Sequence, residues 1–131
     1  MLRRALTVVL AVAAVASLSA CGSRGISVSK SDPTYDGAQL FAERCSGCHT
    51  LDKVGAQGSA TKVRDRERVD GPNFNVRRED RESILYAIRN GGFSGAIMPE
   101  NIVVGKQAEA VARFLAKYAG TQAPKSVSPS G

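Results

Sequence analysis

The sequence predicts a small all-α domain with three main helices. Two stretches, residues 80–90 and 106–118, carry apolar side chains three or four positions apart, which places them on one face of a helix. No stretch alternates apolar and polar residues in a way that predicts a strand of consequence. With 131 residues, 43% of them hydrophobic, the chain suits one small domain rather than two.

The first part of the chain, residues 1–20, is predicted to be a cleaved export signal. Residues 1–4 include two arginines, and residues 5–16 form an apolar run that is too short for a comfortable membrane span. The signal ends in Leu18-Ser19-Ala20-Cys21, which resembles a lipobox, the cleavage site of bacterial lipoproteins. That resemblance implies that Cys21 becomes the lipidated first residue. The alternative is an ordinary signal peptide that ends near a cysteine by chance, and it would leave Cys21 as a free thiol.

The mature chain is predicted to contain a linker, one domain and a tail. Residues 21–35 combine small polar residues with Gly and Pro after the lipidated cysteine, a composition typical of a flexible linker. Residues 36–120 carry the helical patterns and form the predicted domain. Residues 121–131 are rich in Pro and Ser and have little to bury, which predicts a disordered tail.

The first predicted helix runs from Asp36, as its N-cap, to Arg44. It places Phe41 four residues before Cys45, where the ring can pack on a second helix. Residues 50–70 have no clean period and mix both signs of charge, which predicts a solvated loop with a helical turn at most. A docking patch for an acidic partner is the functional alternative for this stretch.

Two further helices follow a tight turn at Gly71-Pro72-Asn73-Phe74. The second helix is predicted over residues 80–90, with Gly91 at the C-terminal position that favours a positive φ. A glycine-rich loop then leads to Ile97-Met98-Pro99. The third helix, over residues 106–118, has the clearest apolar stripe. Its members are Ala108, Val111, Phe114, Leu115 and Tyr118.

The stretch Cys45-Ser46-Gly47-Cys48-His49 has the spacing of a c-type haem attachment site. On one helical turn, positions i, i+3 and i+4 share a face. Cys45 and Cys48 can therefore each form a thioether with one edge of a flat macrocycle while His49 points at its iron. Since Cys21 is assigned to the lipid, no cysteine is left over and no disulfide is expected, although the compartment would permit one.

Met98 is the predicted second axial ligand of the iron. His49 is the only histidine in the chain, which excludes two histidine ligands within one molecule. Met98 is the only methionine left once Met1 is removed with the signal, and Pro99 biases it towards extended backbone that suits a strap across a haem face. Ligation by His and Met raises the reduction potential relative to two nitrogen ligands and closes both axial sites to small molecules.

Five features within residues 36–120 resemble those of class I c-type cytochromes, which are small all-helical electron carriers. They are Gly37-x-x-x-Phe41, Cys45-x-x-Cys48-His49, Gly71-Pro72-Asn73, Ile97-Met98-Pro99 and a terminal helix that contains Phe114. The resemblance implies that the Pro72 carbonyl accepts a hydrogen bond from His49. It also implies that Gly37, Phe41 and Phe114 meet where the first and last helices touch. The interval between His49 and Gly71 is longer and more charged than in the most compact members of the family.

These observations predict an electron-transfer protein, not an enzyme: a membrane-anchored c-type cytochrome with one covalent haem. Expected partners are redox proteins such as a terminal oxidase or a quinol-oxidising cytochrome complex. The expected location is the outer face of the bacterial cytoplasmic membrane, as a monomer. Removing Arg3 and Arg4 with the signal lowers Lys plus Arg from 18 to 16 against 12 acidic residues, a net charge of about +4. This modest excess, with no aromatic residues grouped among the basic ones, gives no support to nucleic-acid binding.

Four alternatives use the same residues. The first is a haem sensor or peroxidase-like protein in which Met98 is labile, and the second is a fixed cytochrome subunit of a larger redox complex. The third, a thiol oxidoreductase using Cys45 and Cys48 without haem, lacks the expected strand-helix-strand setting. The fourth, a zinc site, has too few ligands. A domain of this size without Trp is also expected to depend on its haem for a core, so the apo chain is predicted to be largely unfolded.

Overall fold

The computed structural model of the protein describes residues 25–59, 70–92 and 97–122. Its elements are α1 (Tyr35–Arg44), β1 (Thr50–Leu51), the 3-10 helix η1 (Asp52–Val54), β2 (Ala56–Gln57), α2 (Arg81–Asn90) and α3 (Gly105–Tyr118). β1 and β2 pair antiparallel, with Leu51 opposite Ala56. Three helices and one short sheet fit the small domain that the resemblance implied.

The three helices lie where the sequence predicted them, and each begins within one or two residues of its predicted start. The prediction that Asp36 is the N-cap of the first helix is wrong, because the N-cap is Thr34. The Thr34 carbonyl already accepts a helical hydrogen bond, so α1 begins at Tyr35 and Asp36 lies in its first turn. α2 begins at Arg81, one residue after the predicted start, and Asp80 is its N-cap: the Asp80 side chain accepts a hydrogen bond from the Ser83 amide at 2.8 Å.

The short sheet was not predicted. Residues 50–57 form β1, η1 and β2 instead of a loop, and Leu51 is fully buried. The Thr50 carbonyl accepts a hydrogen bond from the Phe74 amide at 2.9 Å, and the Asp52 amide donates to the Asn75 side chain at 2.8 Å. These bonds join the sheet to the turn that begins at Gly71. The remainder of the charged stretch, residues 60–69, lies outside the described residues.

α1 and α3 pack against each other at a glycine, as the resemblance implied. A Cβ on Gly37 would lie 2.2 Å from the Ala110 carbonyl oxygen and 2.7 Å from the Phe114 Cβ. Phe41 and Phe114 are both fully buried, and their ring centroids lie 6.0 Å apart. The absent side chain at Gly37 therefore sets how closely the two helices approach.

Replacing Gly37 with Ala is expected to destabilise the fold. Overpacking costs ~1–3 kcal/mol, and the upper end applies because the carbonyl of Ala110 is backbone and cannot rotate away. Gly to Ala in a helix regains up to ~1 kcal/mol, which leaves a net loss of ~2 kcal/mol. Thermal unfolding should show a Tm lower by about 8–16 °C. The matched control is Gly25→Ala, where a Cβ would meet nothing within 4 Å; equal Tm values for both variants would contradict the packing argument.

Residues 25–34, here called the N-terminal arm, pack on the domain, whereas the sequence predicted a flexible linker there. Val28 is buried in the core, and the Ser27 amide donates a hydrogen bond to the Lys53 carbonyl at 2.9 Å. The Asp32 carboxylate accepts hydrogen bonds from Lys117 Nζ at 2.7 Å and from Tyr118 Oη at 2.6 Å. The packed part of the chain therefore begins well before residue 36. Composition could not indicate this, because the arm is held by a few specific long-range contacts.

Replacing Asp32 with Asn is expected to lower the Tm near neutral pH and to matter less in acid. Hydrogen bonds from Lys117, Tyr118 and Thr34 hold the pKa of the Asp32 carboxyl well below its ordinary value of 3.8. A group whose pKa is lower in the folded state stabilises the fold above its unfolded pKa, and this contribution is lost as pH falls through the folded pKa. The Tm gap between wild type and variant should be constant above about pH 5 and shrink below about pH 4.

The interaction of Asp32 with Lys117 and Tyr118 should also stabilise the fold less at alkaline pH. The Asp32 carboxylate is the main cause that raises the pKa of Lys117 and of Tyr118 above their ordinary values. Groups with raised pKa values stabilise the fold below their unfolded pKa and lose this as pH rises through the folded one. Glu100→Gln, an exposed carboxylate outside this contact, serves as the control. A gap for Asp32→Asn that persists undiminished into acid would contradict the assignment.

Several predicted segments lie outside the described residues. They are the export signal of residues 1–20, the lipidation site Cys21 and most of the tail, residues 123–131. The first tail residues do pack: the Gln122 amide donates to the Asn75 carbonyl at 2.8 Å. Within the described ranges, no helix has the length and apolar character needed to cross a membrane.

Candidate functional site

A cavity of about 750 Å³, here called the cleft, lies between the three helices and the segments 70–74 and 97–99. α1 and the turn after it contribute one wall, and α2 and α3 contribute apolar side chains from the core. The residues lining it include Phe41, Cys45, Cys48, His49, Pro72, Phe74, Ile84, Ile88, Met98, Val111 and Leu115. All the haem-binding residues predicted from the sequence therefore meet at one cavity.

The Cys45–His49 stretch continues α1 by one helical turn. The His49 amide donates to the Cys45 carbonyl at 3.0 Å, and the Cys45 amide donates to the Phe41 carbonyl at 2.9 Å. This turn brings both thiols and the imidazole to the cleft. Cys45 is half-buried and Cys48 is exposed, so the two sulfurs lie at different depths along one wall.

The His49 ring is held in one orientation and one protonation state. Its Nδ1 lies 3.1 Å from the Pro72 carbonyl oxygen. A carbonyl oxygen can only accept a hydrogen bond, so the proton lies on Nδ1 and Nε2 keeps its lone pair. Burial lowers the pKa of His49, although the hydrogen bond to Pro72 opposes this shift. A neutral imidazole with a free Nε2 is the form that binds iron.

Two residues of the tight turn pack directly on the His49 ring. The Phe74 ring is stacked on the imidazole, with centroids 4.8 Å apart and 21° between the planes. A Cβ on Gly71 would lie 2.4–2.8 Å from the imidazole atoms, so only glycine fits there. Sequence reasoning placed Phe74 and Gly71 in the turn but missed both contacts. An aromatic residue directly after the Gly-Pro-Asn turn is the signal that was available.

Gly58 and Ser59 also support the site through hydrogen bonds and close packing, and the sequence analysis did not predict this role. The Ser59 hydroxyl donates to the Gly71 carbonyl at 2.8 Å and accepts a hydrogen bond from the Thr50 amide at 3.1 Å. A Cβ on Gly58 would lie 2.5 Å from the backbone of Gly47. The end of the short sheet therefore packs closely against the turn Cys45–His49, on the side away from the cleft. No local sequence signal distinguishes these two residues from an ordinary loop break.

Met98 lies at the cleft on the segment that follows α2. It is half-buried and packs against the core, and its carbonyl accepts a hydrogen bond from the Gly92 amide at 3.1 Å. The Asn101 amide donates to the Ile88 carbonyl at 2.7 Å, which ties the same segment to the end of α2. Gly91 has the predicted positive φ, 76°, and a Cβ there would lie 2.7 Å from the Met98 carbonyl oxygen. These contacts fix the backbone of Met98 beside the cavity.

The thiol-redox and zinc alternatives gain no support from the geometry. Burial, with a smaller effect of Cys48, raises the pKa of the Cys45 thiol to about 12. A disulfide oxidoreductase needs the opposite, a thiol whose pKa is lowered so that the thiolate can attack. Among the residues that the structure describes, no three His, Cys, Asp or Glu side chains are grouped to hold a metal ion.

The cleft fits a haem of the kind that the resemblance implies. Its volume falls in the range of about 300–1,000 Å³ typical of cofactor sites. The side chains of Phe74, Ile84 and Val111 give it apolar walls. Two thiols and an imidazole with a free Nε2 are the groups that haem c requires, and they stand along one wall.

Comparison with known families also indicates a c-type cytochrome. A family model described as Cytochrome C oxidase, cbb3-type, subunit III matches residues 32–115. No match was found to a curated protein or to a solved structure. The matched span covers more than half of the chain and includes the haem-attachment turn, Pro72 and Met98. The chain therefore belongs to the family of cytochrome c oxidase, cbb3-type, subunit III, and is a c-type cytochrome.

Proposed function

We propose that the protein is a membrane-anchored electron carrier with one covalently attached haem, which passes single electrons between respiratory redox partners. The observation that carries this proposal is the meeting of His49 and Met98 at one cleft, next to Cys45 and Cys48. The bound haem supplies one-electron exchange at its iron. The protein holds the group, sets its potential and controls what reaches it.

Each residue of the cleft has a distinct part in this proposal. Cys45 and Cys48 would hold the haem through two thioether bonds. The free Nε2 of His49 and the sulfur of Met98 would be the protein's ligands to its iron. The Pro72 carbonyl would fix the imidazole and make it a better donor to iron, since its oxygen accepts a hydrogen bond from Nδ1 at 3.1 Å.

With both His49 and Met98 as ligands, a bound haem would keep no open position for a substrate, which is why we propose a carrier and not an enzyme. A redox partner would then dock at the mouth of the cleft. Tyr86 and Ile97 line the cleft with side chains that are 60% and 53% exposed, and they offer an apolar contact to a docking partner. The proposed partners are a terminal oxidase, in keeping with the family's description, or a quinol-oxidising cytochrome complex.

The proposed location follows from the start of the sequence. Residues 1–20 direct export, and lipid on Cys21 holds the mature monomer at the outer face of the bacterial cytoplasmic membrane. A diacylated cysteine provides two acyl chains, which is enough for stable anchoring without a membrane-spanning helix. The wild type should be found in the membrane fraction and need detergent for its release. A Cys21→Ser variant exported with an ordinary cleavable signal in place of residues 1–20 should be recovered without detergent.

Replacing Met98 with Ala is the sharpest test of the electron-transfer site. The haem should stay attached, because its thioethers and His49 are untouched. The sixth position should open, so carbon monoxide should bind the reduced variant rapidly and stoichiometrically, and the reduction potential should fall because the sulfur ligand is lost. Visible spectra of the reduced protein with and without carbon monoxide, together with a redox titration, measure both effects.

The control is Val104→Ala, a truncation to the same residue at a position that is 59% exposed and does not line the cleft. It should keep the wild-type spectrum and potential. Survival of the optical signature of Met ligation in Met98→Ala would refute the ligand assignment. Fast carbon monoxide binding by the wild type itself would favour the alternative of a haem sensor with a labile Met98.

A further inference from the structure

We infer that the N-terminal arm docks the domain so close to its lipid anchor that one end of the domain is held against the membrane surface. We call this the arm end and define it by Ser27, Lys30, Lys53 and Lys117. The inference rests on the proposed lipid anchor at Cys21. It adds which surface faces the lipid headgroups and how far the domain can move from them.

The arm is fixed to the domain by contacts along its length. Ser27 is bonded to Lys53 through its amide at 2.9 Å and its hydroxyl at 3.1 Å, and the Val28 side chain is buried. Five residues later, Asp32 joins Lys117 and Tyr118 at the C-terminal end of α3. Both ends of the arm are therefore attached, so the distance from Cys21 to the first fixed point of the domain is the distance to Ser27.

The length of the tether from Cys21 to Ser27 decides the geometry. A linker of the predicted length, to residue 35, would extend up to ~50 Å, since a fully extended chain gains about 3.3–3.6 Å per residue. Only six peptide units separate Cys21 from Ser27. Whatever path they take, they span at most ~22 Å. The domain therefore stays within a short distance of the membrane and keeps its arm end towards it.

Charge has a minor part in this arrangement. Three lysines of the arm end, Lys30, Lys53 and Lys117, are offset by Asp32 and Asp52. Lys117 is already paired with Asp32 at 2.7 Å. The tether, not an electrostatic patch, sets the orientation, so it should change little between low and high salt.

The arrangement leaves the cleft free for a partner. No residue of the arm and none of η1 lines the cleft. Electron exchange would therefore take place close to the membrane, where a membrane-bound partner is already at hand.

A pair of matched labels tests the inference. Lys30 belongs to the arm end, whereas Lys106 lies at the other end of α3, about 17 Å from Lys117 at 1.5 Å per residue. Both side chains are exposed. A nitroxide is attached to Lys30→Cys or to Lys106→Cys in the full-length, haem-loaded, lipidated protein. The protein is then bound to phosphatidylcholine–phosphatidylglycerol vesicles with or without a nickel-chelating headgroup lipid.

Nickel at the headgroups should enhance the relaxation of the label at position 30 several-fold more than that of the label at position 106. Equal enhancement at both positions would overturn the inference. Six Gly-Ser residues inserted between Gly22 and Ser23 should reduce the difference, because the longer tether frees the domain to turn. A difference that survives the insertion unchanged would also overturn it.

The same samples separate this inference from the proposed anchor. Cys21→Ser, produced without residues 1–20, should not bind the vesicles. If the wild type also fails to bind, the anchor itself is wrong and the inference falls with it. If the wild type binds and the two labels respond alike, the anchor stands and only the membrane-facing orientation is wrong.

Discussion

The haem-free chain is expected to be largely unfolded. In the double variant Cys45→Ser, Cys48→Ser, no thioether can form, so the purified haem-free protein lacks the occupant of its cleft. The walls of that cleft are core side chains, among them Phe41, Val111 and Leu115. Far-ultraviolet circular dichroism should show little helix, and thermal unfolding should show no cooperative transition near the holoprotein's Tm.

The size of the cleft makes this the largest effect that we expect. A closed cavity costs about 24 cal/mol per Å³. If only about a quarter of the 750 Å³ cleft acted as closed cavity, the cost would be ~4.5 kcal/mol. A domain of this size has a total stability of only about 5 kcal/mol at the lower end of the usual range. The cost of the empty cleft is therefore about as large as the whole free energy of unfolding.

Cys21→Ser is the control for this experiment, since it also replaces a cysteine and leaves both thiols of the cleft in place. It should fold and attach haem like the wild type. A haem-free double variant with the helix content of the holoprotein would contradict the argument. It would mean that α1, α2 and α3 close the cleft without a cofactor.

The helices could be predicted because their signals are local. Asp80 caps α2 through an amide three residues away, and the apolar stripe of α3 repeats within a few positions. The contact of Phe41 with Phe114 joins the first helix to the last one, so the two residues lie far apart along the chain. The family resemblance predicted this contact, and the periodicity did not. Local patterns therefore predicted the elements, and the resemblance predicted how two of them meet.

The short sheet and the arm could not be predicted, because distant residues create them. β1 and β2 have two residues each, which is too short for an alternating pattern. Asp32 looks like a linker residue until α3 brings Lys117 and Tyr118 to it, 85 and 86 positions further along the chain. Composition measures an average tendency, and the arm is fixed by single contacts that an average hides.

At the candidate site, the sequence predicted the groups that would touch the haem, and the family resemblance predicted one group that holds them, the Pro72 carbonyl beside His49. The other supporting contacts were not predicted. His49, Met98 and the two cysteines follow from spacing and from counting residue types. The stacking of Phe74 on His49 and the support from Ser59 depend on where the chain returns after the charged stretch. No residue type is reserved for such supporting roles, so a motif does not reveal them.

Replacing Gly71 with Ala should be the most damaging single substitution at the site. The new Cβ would lie 2.4 Å from Cε1 and 2.5 Å from Nδ1 of His49, and the ring must move. Moving it breaks the hydrogen bond to Pro72, or the stacking on Phe74, or both. Overpacking costs ~1–3 kcal/mol, and an unsatisfied buried Nδ1–H costs a further ~1–3 kcal/mol. We expect a low yield of haem-loaded protein and a Tm lower by ~10 °C or more.

Gly37→Ala separates damage to the haem ligand from general loss of stability. Both variants overpack a glycine, but Gly37 faces the backbone of α3 and Gly71 faces the imidazole. Gly37→Ala should lower the Tm and keep the wild-type visible spectrum and reduction potential. Gly71→Ala should change both, because the iron loses a correctly oriented Nε2. If the two variants lost stability equally and kept the same spectrum, Gly71 would be a packing residue with no part in orienting His49.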